Sequence, residues 1–307
     1  MEIGFLLLKQ ICVMFLLMLA GYVFYKKGMI TDQGSKELGK ILLYLVIPVV
    51  VINNFCIERT AEKAAELLQS TVLAGAAMLA AIVISHIVFG KRDGISCFSS
   101  AFSNAGFIGI PLVTAVMGSQ YVFYISVMIV FVNALQWTYG VYVITSDKNV
   151  ISPKKIITNP IVLSVAAALV IFFSGAGNHM PGVVTSVFNA IAGLNTPIAM
   201  MVSGVFLAQS DLLAMFKKKK TYVVCLLRLV LIPLATLAVF RILPFGISEM
   251  KLALMIAAAA PVGSNVAVFA QAYDKNYTDA VEQVCLSTIL CLAALPLVIT
   301  LASVVLG

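Results

Sequence analysis

Charge is what this sequence has least of. Only 11% of its 307 residues are Asp, Glu, Lys or Arg, against about 25% in a typical globular protein, while 62% are hydrophobic. Twenty basic and 13 acidic side chains cannot cover the surface of a soluble fold of this length. That excludes a soluble enzyme, a nucleic-acid partner and a disordered chain, and leaves a polytopic membrane protein whose solvent is the lipid bilayer. The net charge of +7 does not restore the nucleic-acid reading, because the basic residues fall in short clusters between apolar runs. The six cysteines, Cys12, Cys56, Cys97, Cys225, Cys285 and Cys291, show no CxxC pair. They read as small buried hydrophobes, with no metal site or disulfide framework. Acidic residues are missing from the middle of every apolar run, and no HExxH occurs. An antiporter built on paired intramembrane carboxylates, a membrane metalloprotease and an aspartyl protease are therefore all disfavoured. Neither an enzyme nor a cofactor is expected.

What is present is a series of apolar runs. A bilayer core of about 30 Å takes about 20 apolar residues per helix, and on that rule there are ten spans: 4–25, 37–57, 66–90, 94–118, 121–146, 158–175, 183–209, 221–241, 249–272 and 278–305. The first reads as a retained span, not a cleaved signal. Loops after odd-numbered spans carry fourteen cations: Lys26, Lys27, Lys36, Lys40, Lys91, Arg92, Lys148, Lys154, Lys155, Lys217, Lys218, Lys219, Lys220 and Lys275. Loops after even-numbered spans carry four: Arg59, Lys63, Arg241 and Lys251. The positive-inside rule then puts the basic loops in the cytoplasm of a plasma-membrane protein, with both termini outside. The longest polar connections are too short for a soluble domain.

Two pairs of prolines recur at nearly equal offsets. Pro48 and Pro197 are 149 residues apart, and Pro111 and Pro261 are 150 apart. The spacing predicts a first five-helix repeat over 1–146, a short cytoplasmic loop over 147–157, and a second repeat over 158–307. Five is odd, so the second repeat enters the membrane from the opposite side. Inverted repeats with interrupted helices in matching positions are the mark of secondary transporters with a site near the midplane. Pro111 is expected to free the carbonyl of Phe107, and Pro261 that of Ala257. Gly106, Gly109 and Gly263 would ease local unwinding. Two facing breaks would aim helix N-termini at one small volume, each worth about half a positive charge, and that suits a carboxylate. Ser103, Asn104, Ser264 and Asn265 add neutral donors beside them.

Other polar residues inside the spans are weaker candidates. Asn53 and Asn54 follow Pro48 and are candidates for the same cavity. Arg228 reads either as a snorkelling side chain or as part of an anion site. Asn133 and Gln136 suit interhelical hydrogen bonds. His86 and Lys9 suit the interfaces.

The stretch Asn104-Ala105-Gly106-Phe107-Ile108-Gly109-Ile110-Pro111-Leu112 resembles the fourth-helix signature of the auxin efflux carrier family, which includes bacterial permeases for malate or other organic acids. Ala260-Pro261, Ala270-Gln271-Ala272-Tyr273, Ser287-Thr288 and Asn159-Pro160 extend the resemblance along the chain. It implies an all-α fold of ten transmembrane helices, similar to sodium/proton antiporters and bile-acid transporters, with helices 4 and 9 broken and crossed. Helices 1, 2, 6 and 7 would form a scaffold carrying a homodimer interface, while the rest move in an elevator-like way. By position, Pro111 and Pro261 would be the crossover prolines, and Asn104 with the residues around Gly109 would line the substrate site. Plant members carry a long mid-chain loop; residues 147–157 are short, so regulation through that loop and auxin as the substrate are not expected. The resulting expectation is a permease or efflux carrier for small organic anions. A sodium-coupled symporter similar to bile-acid carriers is the alternative, and a receptor or a channel a more distant one.

Overall fold

The computed structural model describes residues 2–90, 92–147, 149, 154, 157–210 and 215–307. Most of the 147–157 loop lies outside the described residues, as do Lys91, Lys148 and Lys155 among the cations used to set orientation. The described residues are helical, with no β-structure beyond a single isolated bridge. Among the described residues, seven helices are long and apolar enough to cross a membrane: α1 (Gly4–Lys26, extending back to Glu2), α2 (Asp32–Phe55), α3 (Ala61–Val88), α6 (Ser119–Thr145), α8 (Gly182–Gln209), α9 (Lys219–Ile242) and α12 (Tyr277–Leu306). The other three apolar stretches give shorter pieces. Residues 94–118 form α4 (Gly94–Ala101) and α5 (Ala105–Val116), residues 158–175 form α7 (Pro160–Ser174), and residues 249–272 form α10 (Ser248–Ala259) and α11 (Asn265–Ala272).

Two helices begin about five residues earlier than hydropathy suggests, because side-chain caps outrank apolarity there. The Thr31 hydroxyl accepts from the Gly34 amide at the start of α2, and Thr60 accepts from Lys63 at the start of α3. Asn159 caps α7 in the same manner, with Pro160 in its first turn.

Three of the prolines inside helices are absorbed by π-turns, whereas Pro296 sits within the regular α12. Leu42–Val46 precedes Pro48, Ala105–Gly109 precedes Pro111, and Leu227–Leu231 precedes Pro233. The widened turn makes room for the ring and for the missing amide without ending the helix. Close packing of α1 on α8 depends on two small residues. A side chain at Gly21 would collide with the Met201 backbone, and one at Gly204 with that of Met18, as expected where helices must approach closely in lipid.

Candidate crossover site

Two stretches of chain leave their helices while deeply buried. Beyond Ala101, Phe102 turns to φ −109°, ψ 114°, and beyond Ala259, Ala260 turns to φ −56°, ψ 149°. The two extended pieces pass antiparallel, with Ser103 paired to Val262. The Asn104 amide donates to the Pro261 carbonyl at 2.8 Å, and the Gly263 amide to the Phe102 carbonyl at 3.0 Å. Each break thus satisfies part of the other's backbone, which is the condition for leaving a helix at this depth. Gly263 is required by the closeness of the crossing. A Cβ there would stand 3.2 Å from the Ser103 carbonyl oxygen and 3.3 Å from that of Phe102.

On one side of the crossing, α5 starts after Asn104 and α11 after Ser264. Their first amides have no acceptor within their own helices. Asn104 Nδ2 donates to Ser264 Oγ at 3.1 Å, Asn265 Nδ2 to Gln136 Oε1 at 2.8 Å, and the Val262 amide to Ser287 Oγ at 3.1 Å. A cavity of about 30 Å³ opens here, lined by Asn104, Gly106, Asn133, Gln136, Ser264 and Asn265 together with apolar neighbours. A water needs about 10–15 Å³ on this measure, so the space suits a group of carboxylate size. The arrangement offers two positive helix ends and several neutral amides to one small anion.

The family model for membrane transport proteins matches residues 6–299. The chain belongs to this family, that of the auxin efflux carriers. Members of the family are transporters, not enzymes. Among curated proteins, none matches the chain.

The transporter's buried arginine lies on the other side of the crossing. Arg228 is 1% exposed and sits in the π-turn of α9. Its Nη1 donates to the carbonyls of Ser100 and Ala101 at 3.0 and 3.1 Å, and its Nη2 donates to that of Ala258. These are the last carbonyls of α4 and α10, the negative ends of two helix dipoles. Arg228 is therefore neither snorkelling nor among the cavity's lining residues. It is a shared cation for the two ends facing away from the cavity.

Three more expectations are corrected. Pro111 lies seven residues past the first break, inside α5, and the π-turn absorbs it, with the Ile110 amide reaching the Ala105 carbonyl. Gly106 and Gly109 belong to that same π-turn and are not unwound. Gly109 faces α10, where a Cβ would stand in ordinary contact, 3.4 Å from the Ala257 Cα. Asn53 and Asn54 lie away from the cavity: Asn53 Nδ2 donates to Asn189 Oδ1 at 3.0 Å, and Asn54 Nδ2 to the Val50 carbonyl at 2.7 Å. Asn104, Gly106, Gly263, Ser264 and Asn265 all line the cavity, and Pro261 forms the second break itself. Gln136 and Asn133, read from sequence as helix-to-helix glue, line it too. Ser287, the hydroxyl that holds the second break, belongs to the Ser287-Thr288 pair of the family resemblance, but nothing in its position along the chain pointed to this contact.

Proposed function

We propose that the chain is a secondary carrier for small organic anions in the plasma membrane, built as ten membrane-spanning elements in two inverted five-helix repeats. On this reading it works by elevator-like alternating access as a homodimer, with its basic loops in the cytoplasm and both termini outside. The observation that carries the proposal is the meeting of two helix N-termini and the amides of Asn104 and Asn265 at one carboxylate-sized cavity. The sodium-coupled alternative is weakened by Arg228. The carbonyls of Ser100, Ala101 and Ala258, natural ligands for a bound cation, are already taken by its guanidinium.

Transport in proteoliposomes tests the reading. The native protein should move radiolabelled carboxylates saturably, show counterflow, and run equally well when choline replaces sodium. Changing Asn104→Ala together with Asn265→Ala should cut kcat/KM at least about 100-fold, since hydrogen bonds to a charged group are worth about 1.5–3 kcal/mol each. Single-channel currents, or ligand binding without counterflow, would overturn it.

A further inference from the structure

A second, larger cavity of about 370 Å³ adjoins the crossover. Leu43, Phe107, Ser264 and Asn265 line both spaces, so the two lie side by side. The larger one is framed by the start of α2, the end of α8, the end of α11 and the start of α12. It therefore opens at the end of the molecule where the basic loops lie.

Between Ser264 and Asn265 at the crossover and the mouth, its walls are largely apolar, but its mouth is not. Lys36 and Lys40 both line it, and at a spacing of four they share one face of α2. Neither forms an ion pair among the described residues. The one acid on the wall, Asp32, is already engaged, its Oδ1 accepting from Tyr25 Oη at 2.8 Å and from Gln209 Nε2 at 2.7 Å. The wall thus holds two cations against one carboxylate. At the opposite end Lys63 pairs with Glu66 at 2.6 Å and Arg59 donates to the Phe173 carbonyl at 3.2 Å, while Arg241 and Lys251 line a further cavity of about 380 Å³. That cavity shares no lining residue with the crossover space, so of the two basic cavities only the one at Lys36 and Lys40 adjoins the crossover.

We propose that Lys36 and Lys40 form a capture site for organic carboxylates, distinct from the crossover cavity and leading to it along α2 and α11. This rests on the carrier reading above. A confined mouth of one charge sign raises the local concentration of the opposite ion and speeds its association, with an effect that salt removes. The crossover amides determine how long the anion stays, and the lysines how fast it arrives.

Trp137, the single tryptophan, provides the readout. It neighbours Gln136 and packs on Phe269 of α11 with ring centroids 4.7 Å apart. Stopped-flow tryptophan fluorescence of the purified full chain, mixed with succinate or butyrate, measures association and dissociation separately. In the native protein the association rate constant should fall steeply as sodium chloride is raised, more for the dianion than for the monoanion. In the exposed double variant Lys36→Gln, Lys40→Gln the low-salt rate should drop about tenfold and the salt dependence should flatten. Dissociation and melting temperature should stay unchanged. An unchanged association rate and salt slope in that variant would overturn the capture site and leave the carrier reading intact. Binding of neither probe by the native protein, in fluorescence or in thermal shift, would overturn both.

Discussion

The break between α4 and α5 contains neither proline nor glycine: it consists of Phe102, Ser103 and Asn104, and Pro111 lies seven residues on. The break between α10 and α11 contains both, in Pro261 and Gly263. The two nevertheless make the same structure, an extended piece bonded to its counterpart and followed by a new helix start. Those helix starts, Ala105 and Asn265, are 160 residues apart, not the 150 that separates Pro111 from Pro261. What interrupts a helix here is therefore not a proline at a fixed place. It is the presence of a partner strand to accept the freed backbone and of a cation, Arg228, to hold the two helix ends left behind. Proline and glycine at the second break let the backbones pass closely; at the first, ordinary residues suffice because the glycine opposite supplies the room.

The comparison breaks most sharply at Arg228, which serves both sides at once. Arg228→Ala removes the shared cation and leaves the carbonyl ends of α4 and α10 buried without it, a loss of about 1–3 kcal/mol for each carbonyl left without a donor. Thermal unfolding in detergent should show it as the largest drop among these variants, and transport should be lost. A melting temperature near the native one would mean the crossing stands without the cation. The next test separates the breaks. Gly263→Ala pushes a methyl against two carbonyl oxygens and should cost about 1–3 kcal/mol, as overpacking does. Gly106→Ala meets only the flexible Ile47 Cδ1, at 3.5 Å, and should stay within about 0.5 kcal/mol of native. Equal costs would remove the asymmetry.

Much of the fold was legible because lipid leaves few choices. Sparse charge and runs near twenty residues implied a helical membrane protein, and the Asn104–Pro111 stretch pointed to the right family. Asn104, Ser264 and Asn265, which line the crossover cavity, stood out because polar residues beside glycine and proline in an apolar run are costly unless they face something. The reading failed where one local rule outran its surroundings. Proline was assumed to break a helix, but a π-turn can absorb it, as at Pro48, Pro111 and Pro233, and nothing in the local sequence marks which outcome occurs. Arg228 was misread because the carbonyls that hold it come from α4 and α10, 127 or more residues away in one direction and 30 in the other. No periodicity along α9 encodes them. Asn53 and Asn54 sit on the right helix, but near its far end.

The two broken helices also start differently, and this gives the smallest effect. α4 begins at a capping acid: Asp93 accepts from the Ser96 amide at 3.1 Å and its hydroxyl at 2.9 Å, and pairs with Lys220 at 2.8 Å. Lys220 also reaches Asp279 on α12 at 2.7 Å, so the starts of α4, α9 and α12 are tied together. α10 begins at Ile247 with no side-chain cap. Burial pushes the Asp93 carboxyl up, but the Lys220 ammonium and the Ser96 amide and hydroxyl more than offset it and hold it below the usual carboxylate range. A carboxyl depressed in the folded state stabilises fully above its unfolded value of about 3.9 and loses that contribution as pH falls through the folded value. Amide exchange in the first turn of α4, corrected for intrinsic rates, should therefore be flat from neutral pH down to about pH 4 and rise below it, while the first turn of α10 shows no such rise. Asp93→Asn keeps a good helix cap but removes the charge. It should raise exchange in α4 at neutral pH toward the value the native protein reaches only in acid. If native and Asp93→Asn traces coincide at neutral pH, the Lys220 pairing contributes nothing and the cap alone fixes where the first broken helix begins.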